Sequence, residues 1–351
     1  MRRKDFLFTL GAAGLGLGVS GPANALFQES PLQLPPLLIN DQGSSIQTIG
    51  DWLEKRAVIR ERWLAYLGAM EQNPNIPVLR ILKEERVSGL IRQYVAYEGE
   101  PGREGEPGST VYGYLLKPEK IQEKLPGVVA LHSTSDTQML HIAGVREGKI
   151  VPFGYRLAQQ GFVVFCPQNF LWHQNEGRHW EAQAAHYIKT HPGSRGMAKM
   201  LFDAQRAVDV LQSLEEVDSS RIGAMGHSLG AKEAFYLGAF DERVRVIVSN
   251  EGGIGIHMSN WDALWYLGKE IHQFGHLHHE VLALAAPKSF LLIGGDSADG
   301  EQSRPYIEAV KPVYALYGSS ENLQLRNHGQ GHSAVPVTET WTYGWMKDHL
   351  S

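Results

Sequence analysis

From residue 127 to the C-terminus, short continuous apolar runs alternate with segments of helical period, and few folds accept such a chain. The runs are 127–131, 162–166, 221–225, 244–249, 289–293 and 323–326. Segments 153–160, 197–214, 231–239, 305–317 and 337–349 carry apolar residues at helical spacing. Runs that are apolar throughout, rather than at every second position, belong to strands buried on both faces. Strands separated by helices of this length predict an α/β fold with a mostly parallel sheet and helices on both faces. Upstream, Trp52, Leu53, Ala57, Ile59, Trp63, Leu64 and Leu67 recur at helical spacing, predicting an amphipathic helix over 49–70. Residues 80–98 and 110–116 read as strands, separated by the turn-rich Gly99-Glu100-Pro101-Gly102.

Two long connections interrupt the pattern. Residues 168–195 carry Trp172, His173, His179, Trp180 and His186, and residues 252–286 carry Trp261, Trp265, Tyr266 and several histidines. Both leave strands at their carboxyl ends, where open α/β sheets bind ligands, so they are read as cap insertions that shape a pocket.

Gly226-His227-Ser228-Leu229-Gly230 lies between the apolar run 221–225 and the helical segment 231–239. A serine in G-x-S-x-G at a sharp strand-to-helix turn has its hydroxyl lifted above the sheet, and glycines on either side remove side chains that would clash there. Ser228 is therefore the candidate nucleophile, and the Leu229 N–H, at a helix N-terminus, a candidate oxyanion donor. A serine hydroxyl needs a base at neutral pH, and the place for one is a histidine after the last strand. His332, in Gly331-His332-Ser333, stands there, with His328 as its nearer-to-strand rival.

The acid that orients such a histidine is open between two carboxylates. Asp299 follows the run 289–293, in Gly294-Gly295-Asp296-Ser297-Ala298-Asp299, where Asp296 reads as an Asx-turn. Glu251 ends the preceding run, in Ser249-Asn250-Glu251-Gly252-Gly253. A second oxyanion donor is expected in the loop after 127–131, from the amide of Ser133 or Thr134, with His132 a structural hydrogen-bonding residue.

These residues together resemble the dienelactone-hydrolase-like and acetyl-xylan-esterase-like branch of the α/β-hydrolases, over roughly 112–350. Residues 203–211 (Asp-Ala-Gln-Arg-Ala-Val-Asp-Val-Leu) and 217–223 (Val-Asp-Ser-Ser-Arg-Ile-Gly) are similar to the stretch before the elbow in such esterases. The resemblance implies the α/β-hydrolase fold and hydrolysis of carboxylic esters without metal or organic cofactor. A finer similarity is to bacterial glucuronoyl esterases, whose elbow has a lysine four residues after the serine, where Lys232 stands, and an acid where Glu251 stands. It implies that Lys232 contacts substrate; a solvated helix lysine is the other reading. This chain departs at Leu229, where those enzymes carry an arginine, which points to a carbohydrate-linked ester more broadly.

His272, His276, His278 and His279 cluster, with His257 upstream; His272 and His276 would share a helix face, but without H-E-x-x-H the segment is read as polar cap and no metal is assigned. Trp261, Trp265 and Tyr266 recur at helical spacing and read as packing residues, with Trp261 the candidate to line the pocket. Cys166, the single cysteine, excludes an intramolecular disulfide and cysteine-based metal sites. A net charge of -5 and no Lys/Arg run argue against nucleic-acid binding. Arg2, Arg3 and Lys4, the apolar stretch 6–19 and Ala23-Asn24-Ala25 read as a twin-arginine-like export signal over 1–25, implying a periplasmic or secreted protein without stable membrane insertion. An N-terminal extension over 26–109 and a catalytic domain over 110–351 complete the expected organisation. A prolyl-oligopeptidase-type peptidase and an inactive binding protein on the same scaffold are the alternative functions.

Overall fold

The computed structural model describes residues 34–68, 70, 75–102, 108–135, 137–148, 150–172, 179–333 and 335–350, so the export signal read over 1–25 lies outside it. Helix α1 (Ile49–Leu67) precedes strands β1 (Arg80–Val87), β2 (Leu90–Glu98), β3 (Thr110–Pro118) and β4 (Leu125–Leu131). Then come α2 (Gln138–Ile142), α3 (Phe153–Gln159), β5 (Val163–Pro167), α4 (Trp180–Thr190) and α5 (Gly196–Ser213). Strand β6 (Val217–His227) leads into α6 (Leu229–Phe240), followed by β7 (Val244–Asn250), α7 (His278–Leu284) and β8 (Ser289–Gly294). Helix α8 (Arg304–Leu316), β9 (Leu323–Asn327) and α9 (Pro336–Leu350) end the described chain.

The strands form a nine-stranded sheet in the order β1-β2-β3-β5-β4-β6-β7-β8-β9. The pairs β1–β2, β2–β3 and β3–β5 are antiparallel, and every later neighbour is parallel. The chain leaves β4 for β5 on one side and returns to β6 on the other. The loops after β4 and β6 therefore diverge and open a crevice at the carboxyl edge, where sheets of this kind place their ligands.

Helices cover both faces because the central strands are apolar on both. On one face, Trp345, Met346 and Leu350 of α9 join Phe153 and Leu157 of α3 over Val128, Val246, Val248, Leu291 and Ile293. Each such side chain removed from water contributes roughly 1.5–3 kcal/mol. On the other face α6 is buried along its whole length, and α5 along most of it. Helix α1 starts at Thr48, whose hydroxyl caps the Asp51 amide at 3.2 Å, and buries Trp52, Ile59, Trp63 and Leu67 on one stripe. Trp63 Nε1 donates to Glu280 Oε2 of α7 at 2.9 Å, which ties the helix to the sheet's covering layer.

Three readings of the sequence change. Residues 80–98 are two strands joined at Ser88-Gly89, both at positive φ, the two-residue hairpin turn that a Ser-Gly dipeptide favours. The connection 168–195 contains α4, whose buried Ala184 and Tyr187 sit at helical spacing from Trp180. The connection 252–286 contains α7 and two short 3₁₀ turns, 256–258 and 269–273. Aromatic and histidine content masked the period in both.

Candidate active site

Strand β6 runs to His227 and α6 begins at Leu229, leaving Ser228 alone in the turn. Its backbone sits at φ 59, ψ -114, a conformation rarely held by a residue with a side chain. A Cβ on Gly226 would lie 2.1 Å from the Gly230 carbonyl oxygen, and one on Gly230 would lie 2.0 Å from the Leu131 carbonyl oxygen. Only glycine permits either approach, so the elbow requires both. The second contact presses the first turn of α6 against the end of β4 and brings the 132–135 loop beside the elbow. Leu229 is buried, its amide opening α6, and Ser133 Oγ lies 3.3 Å from His227 Nδ1. Leu229 thus follows Ser228 directly, and Ser133 borders the elbow at His227.

His332 Nε2 lies 2.9 Å from Ser228 Oγ, and His332 Nδ1 lies 3.0 Å from Glu251 Oε2. Because a carboxylate only accepts, Nδ1 carries the proton and Nε2 is left free to accept from the serine hydroxyl. The imidazole is 46% exposed while the Glu251 side chain is fully buried, so the base faces an open cleft and its partner is shielded from water. Glu251 also accepts from the amides of Gly295 and, at 2.8 Å, Ala298. Burial works to raise its pKa, but the hydrogen bonds from His332, Ala298 and Gly295 outweigh it and hold the carboxyl below its ordinary value.

Asp299 does not join this relay. It is fully buried, and its oxygens accept from the Gly253 amide at 2.6 Å, the Ile254 amide at 2.8 Å and Ser303 Oγ at 2.8 Å. Asp296 Oδ1 accepts from Asn327 Nδ2 at 2.6 Å, binding β9 to the loop after β8. His328 Nδ1 accepts from the Gln330 amide at 3.1 Å and plays its part within its own loop. Of the two carboxylates left open by the sequence, Glu251 is the one that meets the imidazole.

Lys232 and Trp261 point inward. Lys232 Nζ donates to the Gly252 carbonyl and, at 2.7 Å, to Ser259 Oγ, and sits 5.0 Å from the centre of the Trp261 ring. Burial brings its pKa down to about 7, against the opposing pull of Asp299 and Glu251. Trp261 is 1% exposed and donates Nε1–H to the Gly253 carbonyl. Both side chains are thus buried and bonded to the backbone of the turn after β7.

The histidine cluster disperses in the fold. His272 faces Asp262 at 3.3 Å, His276 faces Glu280 at 2.9 Å, His278 bonds the Ile254 carbonyl and the Tyr236 hydroxyl, and His279 bonds the Pro35 carbonyl. Among the described residues, no three His, Cys, Asp or Glu side chains converge to hold a metal ion.

Three contributors carried no signal in the sequence, His227, Asn169 and Glu233, whereas His132 is the hydrogen-bonding residue the sequence reading expects. His227, the variable residue of the elbow, donates Nε2–H to the His332 carbonyl at 2.8 Å. Burial lowers its pKa to about 4, so the ring is neutral and its Nδ1 accepts from Ser133. It thereby ties the elbow to both the histidine loop and the 132–135 loop. Behind that loop, His132 Nδ1 donates to the Ser133 carbonyl at 2.7 Å and its Nε2 accepts from the Asn169 amide at 3.0 Å. The Asn169 side chain in turn donates to Glu233 at 2.7 Å, whose carboxyl burial pushes up to about 8.

A serine at a strained strand-to-helix turn, facing a histidine after the last strand of a mostly parallel sheet, defines the α/β-hydrolase fold. Within it, residues 111–262 match the model of the dienelactone hydrolase family. The chain is 24% identical over 296 residues to the inferred hydrolase YtaP of Bacillus subtilis (strain 168), covering 80% of this chain and 95% of that one. It superposes on a glucuronoyl esterase from Solibacter usitatus with a TM-score of 0.68 at 17% identity, over 90% of this chain and 97% of that one. An inferred acetyl xylan esterase from Bacteroides fragilis gives a TM-score of 0.63 at 13% identity, over 80% and 76% of the two chains.

Proposed function

We propose that the protein is a serine-dependent carboxylic ester hydrolase acting on esterified carbohydrate. The observation that carries this reading is the continuous relay from Ser228 Oγ through His332 to Glu251, with contacts of 2.9 and 3.0 Å. In the first step Ser228 Oγ attacks the ester carbonyl as His332 Nε2 takes its proton, and the oxyanion rests on the amides of Leu229 and Ser133. His332 then protonates the departing alcohol, and the acyl group stays on the serine. Water, deprotonated by the same Nε2, attacks the acyl-enzyme; the acid leaves and Ser228 regains its proton. Glu251 keeps the imidazole in the required tautomer and balances its charge when it is protonated.

The carbohydrate part of the reading is supported by the names of the structural relatives, a glucuronoyl esterase and an inferred acetyl xylan esterase. An export signal over 1–25 fits delivery to polymeric carbohydrate outside the cytoplasm; among the described residues no helix is long and apolar enough to cross a membrane.

The test is labelling with a fluorophosphonate probe, followed by side-by-side assay of acetylated sugars, glucuronate esters and short p-nitrophenyl esters. Labelling is expected at Ser228, and Ser228→Ala should lower ester turnover by about 10⁴ or more. Unlabelled Ser228, or near-wild-type turnover in Ser228→Ala, overturns the assignment.

A further inference from the structure

The turn that carries Glu251 is held by side chains. Glu251 itself sits at φ 58, a left-handed conformation that a residue with a side chain rarely holds. Immediately after it, the Gly252 carbonyl accepts from Lys232 Nζ. The Gly253 and Ile254 amides both donate to Asp299, at 2.6 and 2.8 Å. The Gly253 carbonyl accepts from Trp261 Nε1 at 2.5 Å, and the Ile254 carbonyl from His278 Nδ1 at 2.8 Å. Lys232, Asp299, Trp261 and His278 are each at most 3% exposed. Four buried side chains from three separate parts of the chain thus converge on three residues of backbone.

Burying an ammonium and a carboxylate is costly unless each is met by opposite charge and hydrogen bonds. Here the two are matched to the turn's own polarity. The lysine takes a carbonyl and the aspartate takes amides, and the Asp299 and Glu251 charges oppose the burial that lowers the Lys232 pKa. An apolar pair could fill this volume but could not satisfy those backbone groups.

We propose that Lys232 and Asp299 are positioning residues that clamp the 252–254 turn, the lysine on its carbonyl and the carboxylate on its amides, and so hold Glu251 against His332 Nδ1. The proposal rests on the reading of Ser228, His332 and Glu251 as the catalytic relay. It separates Lys232 from the substrate altogether: its Nζ is spent on Gly252 and Ser259 beneath Trp261 and Tyr266.

The test measures Lys232→Met, Asp299→Asn and Asp299→Ala for kcat, KM and the downfield proton resonance of His332 Nδ1–H bonded to Glu251. Lys232→Met should lower kcat by about 10²-fold, the cost of misplacing a reacting group by roughly an ångström, with KM within about threefold of wild type. Asp299→Asn, which keeps one acceptor oxygen, should lose less than Asp299→Ala. In Lys232→Met and Asp299→Ala the downfield resonance should disappear, while Ser228→Ala keeps it. Lys232→Met with unchanged kcat, with a change confined to KM, or with the resonance intact overturns the clamp. Should Lys232→Met not fold, the near-isosteric Asp299→Asn carries the same readouts, a weakened resonance supporting the clamp and an unchanged one overturning it. If instead Ser228→Ala remains active, the catalytic reading has failed, and the resonance still decides whether Lys232 and Asp299 hold Glu251.

Discussion

Replacing Glu251 by glutamine changes one atom and leaves the shape, yet every group facing that side chain is a donor. Oε1 receives the Gly295 amide, and Oε2 receives both the Ala298 amide and His332 Nδ1. A glutamine amide nitrogen on the Oε1 side would confront the Gly295 N–H, leaving a buried donor unsatisfied at a cost of about 1–3 kcal/mol. On the Oε2 side it would meet the Ala298 N–H, and His332 could bond it only by moving its proton from Nδ1 to Nε2. That tautomer presents N–H to Ser228 and cannot take the serine proton. In either orientation the carboxylate charge that balances protonated His332 is gone, and the equivalent acid-to-amide change in a relay of this geometry costs about 10⁴ in kcat. The assay is steady-state hydrolysis of a p-nitrophenyl ester by Glu251→Gln, with thermal unfolding in parallel. The expected result is a folded protein of somewhat lower Tm whose kcat falls by about 10⁴. A Glu251→Gln enzyme within about tenfold of wild type, beside an Asp299→Asn enzyme that loses about 10⁴, would show that Asp299 orients the base and refute the reasoning.

His332→Ala should lose about 10⁴ in kcat, whereas His328→Ala, whose ring bonds its own loop at Gln330, should stay within about tenfold; equal losses would remove His332 from its role. Burial raises the Glu233 carboxyl to about 8, so the folded state retains a proton that the unfolded state releases near its ordinary value of 4.5. The group's stabilising contribution is therefore complete below 4.5 and is lost as pH rises toward 8. Glu233→Gln, which cannot ionise, should match wild type in Tm below about pH 4.5, exceed it by a margin that grows up to about pH 8 and hold that margin above; parallel Tm curves across pH would contradict the raised pKa.

The layered fold was legible because its signals are local. Apolar runs and helical periods stand within single segments, and the structure extends most of them by only a residue or two. Helices α4 and α7 escaped because their apolar stripes are short and interrupted by histidine, and the β1–β2 turn because its flanking residues are continuous in β character. The elbow was legible for the same local reason: Gly226, Ser228 and Gly230, with the strand before and the helix after, are contiguous, and steric exclusion at two glycines needs no distant partner. His332 followed from its order in the chain.

The acid did not, since Glu251 and Asp299 each end or follow a neighbouring parallel strand and look alike as text. What separates them is where hydrogen bonds are found: Asp299 meets two amides and a hydroxyl before it can reach the imidazole, while the left-handed turn at Glu251 delivers its carboxylate to His332. Lys232 is open between solvent and substrate in the sequence for the same reason, and the fold buries it against Trp261 and the Gly252 carbonyl. Residue type and spacing determine which groups a chain can offer to chemistry. Only the packed structure decides which of those groups are already spent on its own backbone.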